Sequence, residues 1–565
     1  MYRKGFDMNL RKKDIFYLFA IIVFSSLLTC HLIEWNYSLN FKPDSFVYLV
    51  NALVYAGMQG NIQNYSYSMF LTPVISFLTS ILFRLGIVDK IAIMIVTGAI
   101  AIFGEIGLYF LFKIRFDEAS SFFGCVMFSS FNIVLLNWGT GGIDIAVCSF
   151  SIFTLLFMIL AVNKNPKYYI PTSIFLIVAI FTKYDALFLI PLLILCYLSK
   201  HDIFNLLDLL LTDRTEFKKL AIDYLKSEEF KYILISVFIA IVLFILFCEV
   251  IWGYGSNLVF FTQSQQSLNG FNNVNASHSQ FYHNEKGFYL RKAPNFFYPY
   301  ISPEFSLIIL VIIAIGLIYS LINILKSRKE YHFKRDYNIS SLKYMIIFLI
   351  IALVPISIIG FKYISHMVTN IAFLIIFVSI LSLADKINLD KDSLNLDVLF
   401  LAWFIVFFVF FSFISIKGLR YLIIAMPPVV YFVLRTIETI FYKFKDSNKY
   451  KIVLLFVSLI LIINCLTFTF EDTVLADERN NTNIHKVYDY LIEHETDYIS
   501  KNISSDYSYG SRFGTWELKK DVPYIKKDNL DDSNSSYIVS KRDLNLTNYT
   551  QVYKSGKIRL YENIN

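Results

Sequence analysis

The chain has 565 residues, of which 56% are hydrophobic, 18% aromatic and 17% charged, and its mean hydropathy is +0.55. This composition is typical of a polytopic membrane protein. The net charge of +7 would suggest a nucleic-acid partner in a soluble protein, but here Lys and Arg lie in short clusters between apolar runs, where they set membrane topology, so no nucleic acid is expected to bind.

The amino-terminal residues are basic and precede an apolar run at 15–33. This run is long enough to cross a bilayer and lacks a cleavage site of small residues, so we interpret it as a retained first span. The positive-inside rule puts the amino terminus in the cytoplasm, and the following polar region, 34–68, then faces outward.

The first candidate site residue is Asp44, in the stretch FKPDSFVYLVNALVYAG at 41–57. Pro43 is typical of a helix start, and Asp44, Tyr48 and Ala52 are spaced four apart, which puts them on one helix face. Helix capping alone also favours an acid in a first turn. A structural and a chemical role for Asp44 both remain open at this point.

Fourteen apolar stretches along the chain are candidate membrane spans. One of them, 69–85, is short and contains Pro73, and the later basic loops fall on the cytoplasmic side only if it does not cross. We therefore predict an all-α polytopic membrane protein with about 13 transmembrane helices and with 69–85 in the outer interface. The predicted spans are 15–33, 91–112, 120–136, 145–162, 168–182, 185–199, 231–251, 304–325, 344–361, 367–384, 397–415, 419–441 and 450–470.

A second acid, Asp144, follows a glycine-rich turn in NWGTGGID and begins the predicted span 145–162. Glycine lets a backbone approach a ligand closely, although Asp144 is also in a capping position. The predicted topology puts Asp44 and Asp144 on the same outer face of the membrane. Two such acids are suited to general-base catalysis or to binding a divalent cation, Mg²⁺ or Mn²⁺, and the sequence leaves the metal open.

Several cations also lie at the predicted outer boundary, where the positive-inside rule makes basic residues uncommon. Ammonium and guanidinium groups at headgroup level can bind a phosphate, and Arg can do so with two parallel hydrogen bonds. Snorkelling toward lipid headgroups is the alternative for each residue taken singly. The candidate phosphate-binding residues are Lys183, Lys362, His366, Lys417 and Arg420.

Two further polar regions face outward in this topology. The loop at 252–303 is rich in Asn, Gln and aromatic residues, which can grip sugars or peptides but are also common in any solvated loop. The tail at 471–565 predicts a small extracytoplasmic α/β domain that follows a transmembrane domain at 1–470. Its predicted helix and strands lie at 483–495, 535–541, 550–556 and 557–562, and a Ser-Gly turn joins the last two strands.

Together these residues resemble the membrane-embedded GT-C glycosyltransferases that use polyprenyl-phosphate-linked sugars, especially the protein O-mannosyltransferase and aminoarabinose-transferase type. Pro43, Asp44 and Tyr48 look like the first-loop P-D-E-x-x-Y signature of that family, and Asp144 looks like its second acid. One position departs from the signature, because Ser45 stands where the family usually has Glu. The other similarities, to a juxtamembrane stretch and to later motifs, lie at Thr72-Pro73, Thr182-Lys183 and the KGLRY run at 417–421 followed by Pro427.

The resemblance implies a reaction as well as a fold. It implies that a sugar moves, with inversion, from a polyprenyl- or dolichyl-phosphate donor to an acceptor hydroxyl of a protein, lipid or glycan on the extracytoplasmic face. In that reaction Asp44 would be the general base, and Asp144 would orient the acceptor or assist. The five cations named above would hold the phosphate, the loop at 252–303 would cover the sugar, and Tyr48 and Tyr421 would contact the substrate.

Two other functions stay open at this stage. The main alternative is a transporter or flippase of a lipid-linked or small substrate. Transporters tend to have internal repeats and acids near the bilayer midplane, and this sequence instead has its acids and cations near one predicted surface. The other alternative is a non-catalytic membrane scaffold, for which Ser45 in place of Glu is the argument.

Overall fold

The chain folds into a succession of α-helices followed by a small β-sheet near the carboxyl end. The structure is a computed structural model. It describes residues 11–39, 41–62, 72–200, 210, 213–251, 265, 283, 285–298, 304, 306–316, 318, 341–363, 366–386, 391–441, 444, 447–468, 471–526, 529–530 and 533–564.

The helices follow the apolar runs of the sequence. Each predicted span is largely helical where it falls on described residues, because in hydrocarbon a helix satisfies every backbone N–H and C=O within one segment. The α-helices are α1 (Lys12–Leu39), α2 (Pro43–Ala56), α3 (Val74–Arg84), α4 (Ile91–Lys113), α5 (Glu118–Ser130), α6 (Asn132–Leu135), α7 (Asp144–Asn163), α8 (Tyr169–Ile180), α9 (Leu189–Lys200), α10 (Arg214–Leu225), α11 (Glu228–Ile245), α12 (Phe288–Arg291), α13 (Ser341–Tyr363), α14 (His366–Lys386), α15 (Lys391–Phe413), α16 (Met426–Ile440), α17 (Asn448–Leu466), α18 (Glu471–His494) and α19 (Ser508–Leu518). Short 3-10 helices lie at Pro166–Tyr168, Tyr184–Phe188, Ala293–Phe296 and Leu419–Ala425, and a π-helix at Leu246–Ile251.

Among the described residues, seven helices are long and apolar enough to cross a membrane, judged by length and composition. The chain is therefore a helical multi-pass membrane protein, as predicted, while the number of thirteen spans stays a prediction. The seven segments are Lys12–Tyr37, Ile91–Lys113, Asp144–Asn163, Glu228–Cys248, Asn395–Phe413, Leu419–Ile440 and Asn448–Leu466.

The short stretch at 69–85 forms α3, which has 11 residues. A helix of that length extends about 16 Å, whereas the hydrocarbon core of a bilayer is about 30 Å thick. The length of α3 agrees with the predicted position of this stretch in the outer interface.

Helix α7 is buried along almost its whole length and packs against α4, α8 and α9. It is apolar all round, as expected of a helix enclosed by others. Its approach to α4 requires a glycine, because a Cβ on Gly104 would lie 2.1 Å from Ser149 Oγ. Neighbouring helices thus hold the position of the first turn of α7, which carries Asp144.

The carboxyl-terminal part forms a four-stranded sheet in the order β1-β2-β4-β3, with β1 parallel to β2 and the other pairs antiparallel. The three strands predicted from the sequence are present, and Gly556 adopts a positive φ of 58° in the turn between the last two. Strand β1 and helix α19 were not among the predicted elements. The strands are β1 (Ile503–Ser505), β2 (Tyr537–Ser540), β3 (Tyr549–Ser555) and β4 (Ile558–Asn563).

Helix α19 packs directly against α2. The ring of Phe46 lies 5.2 Å from that of Phe513 and 5.9 Å from that of Tyr509, measured between centroids. Beyond the end of α2, the backbone N–H of Asn61 donates to the carbonyl of Lys519 at 3.0 Å. Apolar packing and a backbone hydrogen bond therefore bring α19 beside the helix that carries Asp44.

Candidate active site

Asp44 lies in the first turn of α2, but the N-cap residue of that helix is Lys42, so N-capping is not its role. Its Oδ2 accepts a hydrogen bond from Arg420 Nη2 at 2.6 Å, and its Oδ1 accepts one from Arg512 Nη1 at 2.5 Å. Burial raises the pKa of a carboxyl group, but these two guanidinium groups outweigh burial and hold the pKa of Asp44 below its usual value. Asp44 is therefore an ionised carboxylate that two arginines hold.

Arg420 connects the two acids that the sequence singled out. Besides its hydrogen bond to Asp44, its Nε lies 3.4 Å from Oδ2 of Asp144. A planar guanidinium presents donors on several edges, so one side chain can contact two carboxylates at once. The arrangement brings Asp44 and Asp144 to either side of one cation.

Asp144 lies in the first turn of α7, and its Oδ1 accepts a hydrogen bond from Lys183 Nζ at 3.0 Å. Lys183 also lies 2.7 Å from Oδ2 of Asp185. Burial alone lowers the pKa of a lysine, but the carboxylates of Asp144 and Asp185 outweigh it and raise the pKa of Lys183. Lys183 is thus positively charged at all physiological pH values and bridges two acids.

The two predicted catalytic acids differ in accessibility. The side chain of Asp44 is 48% exposed, whereas that of Asp144 is only 8% exposed. Asp44 is therefore open to solvent, while Asp144 is enclosed by its cation partners.

The two predicted substrate-contacting tyrosines border the same group of charges. Tyr48 is buried on α2 near Thr72, whose hydroxyl donates to the carbonyl of Thr182 at 2.7 Å. Tyr421 presents its ring to Lys183 Nζ at 4.5 Å, which is within cation–π distance. The sequence motifs around Thr72, Thr182 and Tyr421 therefore meet in space.

Ser45 faces away from the solvent and packs on the glycine-rich turn that precedes α7. Its Oγ lies 3.4 Å from the carbonyl oxygen of Thr140, and a Cβ on Gly141 would come within 3.2 Å of that Oγ. Gly141 also has a positive φ of 72°. Gly141 therefore lets the turn approach α2 closely at Ser45.

These contacts define one ion-pair cluster of three carboxylates and three cations, formally neutral as a whole. Its members come from α2, α7, the segments around Tyr184–Phe188 and Leu419–Ala425, and α19. They are Asp44, Asp144, Asp185, Lys183, Arg420 and Arg512.

Comparison with solved structures shows the fold. The chain superposes on ArnT from Cupriavidus metallidurans, in a crystal structure bound to undecaprenyl phosphate, with a TM-score of 0.54, 9% sequence identity and 97% of each chain covered. A weaker similarity, with a TM-score of 0.44, 10% identity and coverage of 92% of this chain and 67% of the other, links it to the Archaeoglobus fulgidus oligosaccharyltransferase. No curated protein matches the chain by sequence.

The family comparison concerns the part of the chain that contains Asp144 and Lys183. Residues 71–206 match the model of the family described as dolichyl-phosphate-mannose-protein mannosyltransferase. The chain therefore has the fold of a GT-C membrane glycosyltransferase, and residues 71–206 match a glycosyltransferase family. The transporter alternative is not favoured by this match or by the shared fold.

Two of the predicted phosphate-binding residues, Lys183 and Arg420, belong to the ion-pair cluster. Lys417 does not. Its Nζ donates to the carbonyls of Ser412 at 2.7 Å and Phe411 at 3.3 Å, in the last turn of α15. Burial lowers the pKa of Lys417 to about 8. This buried lysine thus donates to backbone carbonyls at the C-terminal end of a helix, where the helix dipole favours a positive charge.

His366 and Lys362 are the other two predicted cations. The His366 ring packs against those of Phe410 and Phe413, with centroid distances of 5.5 and 6.0 Å. The side chain of Lys362, like most of the loop at 252–303, lies outside the described residues. A phosphate contact by either residue stays a prediction.

Sequence analysis missed Arg512 and Asp185. Arg512 lies in the carboxyl-terminal tail, far from any recognised motif, so no sequence signal pointed to it. Asp185 was visible in FTKYDALF, two residues after Lys183, where an acid beside a buried cation is a usable signal.

Proposed function

We propose that this glycosyltransferase moves a sugar from a polyprenyl- or dolichyl-phosphate donor to an acceptor hydroxyl on the extracytoplasmic face of the membrane. The observation that carries the proposal is the position of Arg420 between Asp44 and Asp144. The matched family, described as dolichyl-phosphate-mannose-protein mannosyltransferase, and the undecaprenyl phosphate in the ArnT structure support a lipid-phosphate donor.

The reaction moves one negative charge across the site. Asp44 takes the proton of the acceptor hydroxyl, whose oxygen bonds to the anomeric carbon, and the bond between that carbon and the phosphate oxygen breaks. Asp44 thereby becomes neutral while the lipid phosphate gains a charge. Arg420, already 2.6 Å from Asp44, is the cation that can stabilise the charge at both ends of this transfer.

The difference in exposure supports different roles for the two acids. Asp44, which is half exposed, is accessible to an incoming hydroxyl and is proposed as the general base. Asp144 is buried between Arg420 and Lys183 and is proposed to keep these cations in place and to orient the acceptor. Lys183 and Arg420 are proposed to hold the donor phosphate, with Tyr48 and Tyr421 beside the substrate.

The proposed topology has the amino terminus in the cytoplasm and both the cluster and the carboxyl-terminal domain outside. It rests on the distribution of basic residues, which remains the argument for orientation. The domain at 471–565 then lies on the side where an acceptor protein, lipid or glycan would arrive.

A divalent cation, Mg²⁺ or Mn²⁺, would bind to Asp44 and Asp144 if the enzyme uses one. Arg420 contacts both of these carboxylates, so a metal ion at this position would require the guanidinium to move away. Transfer assays with EDTA, and with added Mg²⁺ or Mn²⁺, measure whether such an exchange occurs.

The test of the proposal is transfer by the purified protein from a panel of labelled polyprenyl-phosphate sugars, with release of the lipid phosphate as the readout. Asp44→Asn should reduce the rate by about 100-fold or more, the usual contribution of a general base. Asp489→Asn, at an exposed acid on α18, is the matched control and should transfer normally. A folded Asp44→Asn protein with full activity would exclude Asp44 as the base, and vesicle uptake without transfer would favour a transporter.

A further inference from the structure

The carboxyl-terminal domain contributes one side chain to the ion-pair cluster. Arg512 of α19 donates from Nη1 to Oδ1 of Asp44 at 2.5 Å, and Arg420 holds the other oxygen, Oδ2. Asp44 and Arg512 are 468 residues apart in the chain. Each oxygen of the proposed base is thus held by an arginine from a different part of the protein.

The position of Arg512 is set by contacts on both sides of it in α19. Its neighbour Phe513 is fully buried and meets the ring of Phe46 edge to face, and Tyr509, one turn earlier, also contacts Phe46. Phe46 is only two residues from Asp44 in α2. The apolar contact therefore keeps the guanidinium and the carboxylate in register.

Arg512 has a single acid partner among the residues that the structure describes. That partner is Asp44. Here the contact is directed at the one carboxylate that is proposed to react.

We propose that Arg512 is a positioning residue for sugar transfer, which keeps the carboxylate of Asp44 ionised and oriented until the acceptor hydroxyl gives up its proton. This role depends on Asp44 being the base, as proposed above. The carboxyl-terminal domain is then part of the transfer site, because it supplies one of the two cations that hold the base.

The charged groups around Asp44 determine how activity should depend on pH. Arg420 and Arg512 both lower the pKa of Asp44. Removal of Arg512 should therefore raise that pKa, so that Asp44 becomes protonated, and activity falls, at a higher pH than in the wild type. The other titratable groups facing this region are Asp144, Asp185, Lys183, Tyr48 and Tyr421.

The experiment compares pH–rate profiles of kcat/KM for full-length wild type, Arg512→Gln and Arg512→Lys, with a labelled polyprenyl-phosphate sugar that the wild type uses. We expect the acid limb of Arg512→Gln to move upward by about 1 pH unit or more. Arg512→Lys should recover part of the shift, since it restores the charge without the planar fork. Arg559→Gln, which removes an arginine paired with exposed Asp543 in the same domain, should keep the wild-type profile.

A lowered plateau with an unchanged acid limb in Arg512→Gln would overturn the proposal and leave Arg512 a structural role. If Arg512→Gln does not fold, the pH–rate profile of Arg512→Lys tests the inference instead. A small upward shift of its acid limb is expected, and an unshifted acid limb would contradict the inference. If the wild type transfers sugar from no donor, the proposed function itself fails. A wild type that is active, with all profiles superimposed, removes only the role of Arg512.

Discussion

Arg420 and Asp44, 376 residues apart in the chain, form an ion pair in which Nη2 lies 2.6 Å from Oδ2. The same guanidinium reaches Asp144 through Nε. The pair brings the start of α2 to the segment after α15, and so joins an early and a late part of the chain at the proposed reaction centre.

Replacement of Arg420 by Gln should reduce sugar transfer by about 10²- to 10³-fold, the usual effect of removing one donor that stabilises developing charge. Arg420→Lys should recover little of this, because an ammonium group lacks the planar fork that contacts both acids. Transfer rates in detergent measure the effect. The control is Arg291→Gln, at an exposed arginine paired with exposed Glu285, and equal loss in both variants would contradict the assignment.

Lys183→Met should destabilise the protein, since it leaves Asp185 without this cation and Asp144 with Arg420 alone. Loss of one partner of a buried pair typically costs about 3–5 kcal/mol. Because the pKa of Lys183 is raised on folding, its contribution is fully present below the usual lysine pKa of about 10.4 and is lost only as the pH rises through the folded value.

Thermal melts of detergent-solubilised protein check this prediction at pH 7 and pH 9, where the deficit of Lys183→Met should be similar. Lys183→Arg retains the charge and should melt closer to the wild type. A Lys183→Met protein with the wild-type Tm would show that the ion pairs with Asp144 and Asp185 contribute no net stability.

Ser45→Glu, which restores the residue that the resembling family usually has, should destabilise this protein without increasing transfer. Ser45 is buried, with its Oγ 3.4 Å from the carbonyl of Thr140 and close to Gly141. Overpacking of this kind usually costs about 1–3 kcal/mol. Val47→Glu, which adds an acid at a half-buried position of the same helix, is the control for added charge. Thermal melts and transfer rates of both variants check the prediction, and a Ser45→Glu enzyme more active than the wild type would contradict it.

The free energy of unfolding of the wild type should increase with pH relative to that of the Lys417→Met variant. Burial lowers the pKa of Lys417 to about 8 in the folded protein, whereas the unfolded value is about 10.4. Between these two values the unfolded state binds more protons, so the free energy of unfolding increases as the pH rises. Melts from pH 7 to pH 10 measure the difference, and Lys486→Met, at an exposed lysine of α18, should run parallel to the wild type.

Much of the architecture was predictable from local sequence. Apolar runs identified helices on nearly every described segment, since hydrocarbon selects strongly for them. The alternating runs near the carboxyl end identified three strands and the Gly556 turn. Strand β1 was missed because three residues, Ile503–Ser505, are too short for an alternating pattern.

The site was predictable in part. Asp44, Asp144, Lys183 and Arg420 stood out as charges at one predicted face of an apolar chain, and the structure brings all four together. Lys417 stood out for the same reason but bonds to backbone carbonyls at the end of α15. The position of a residue along the membrane normal can be predicted from where it falls relative to the apolar runs. The direction of its side chain at that depth depends on helix rotation and packing, which the sequence does not show.

By itself, the sequence determined that the protein is a helical membrane protein, because transfer of each segment from water to lipid depends mainly on its own composition, and it predicted that the candidate site charges share one membrane face. Only the tertiary structure decided that Arg420 lies between the two acids and that Arg512 reaches Asp44 from the carboxyl-terminal domain. Coulomb attraction between such groups depends on their separation in space, and packing of Phe46 against Phe513 brings together residues that no local pattern connects.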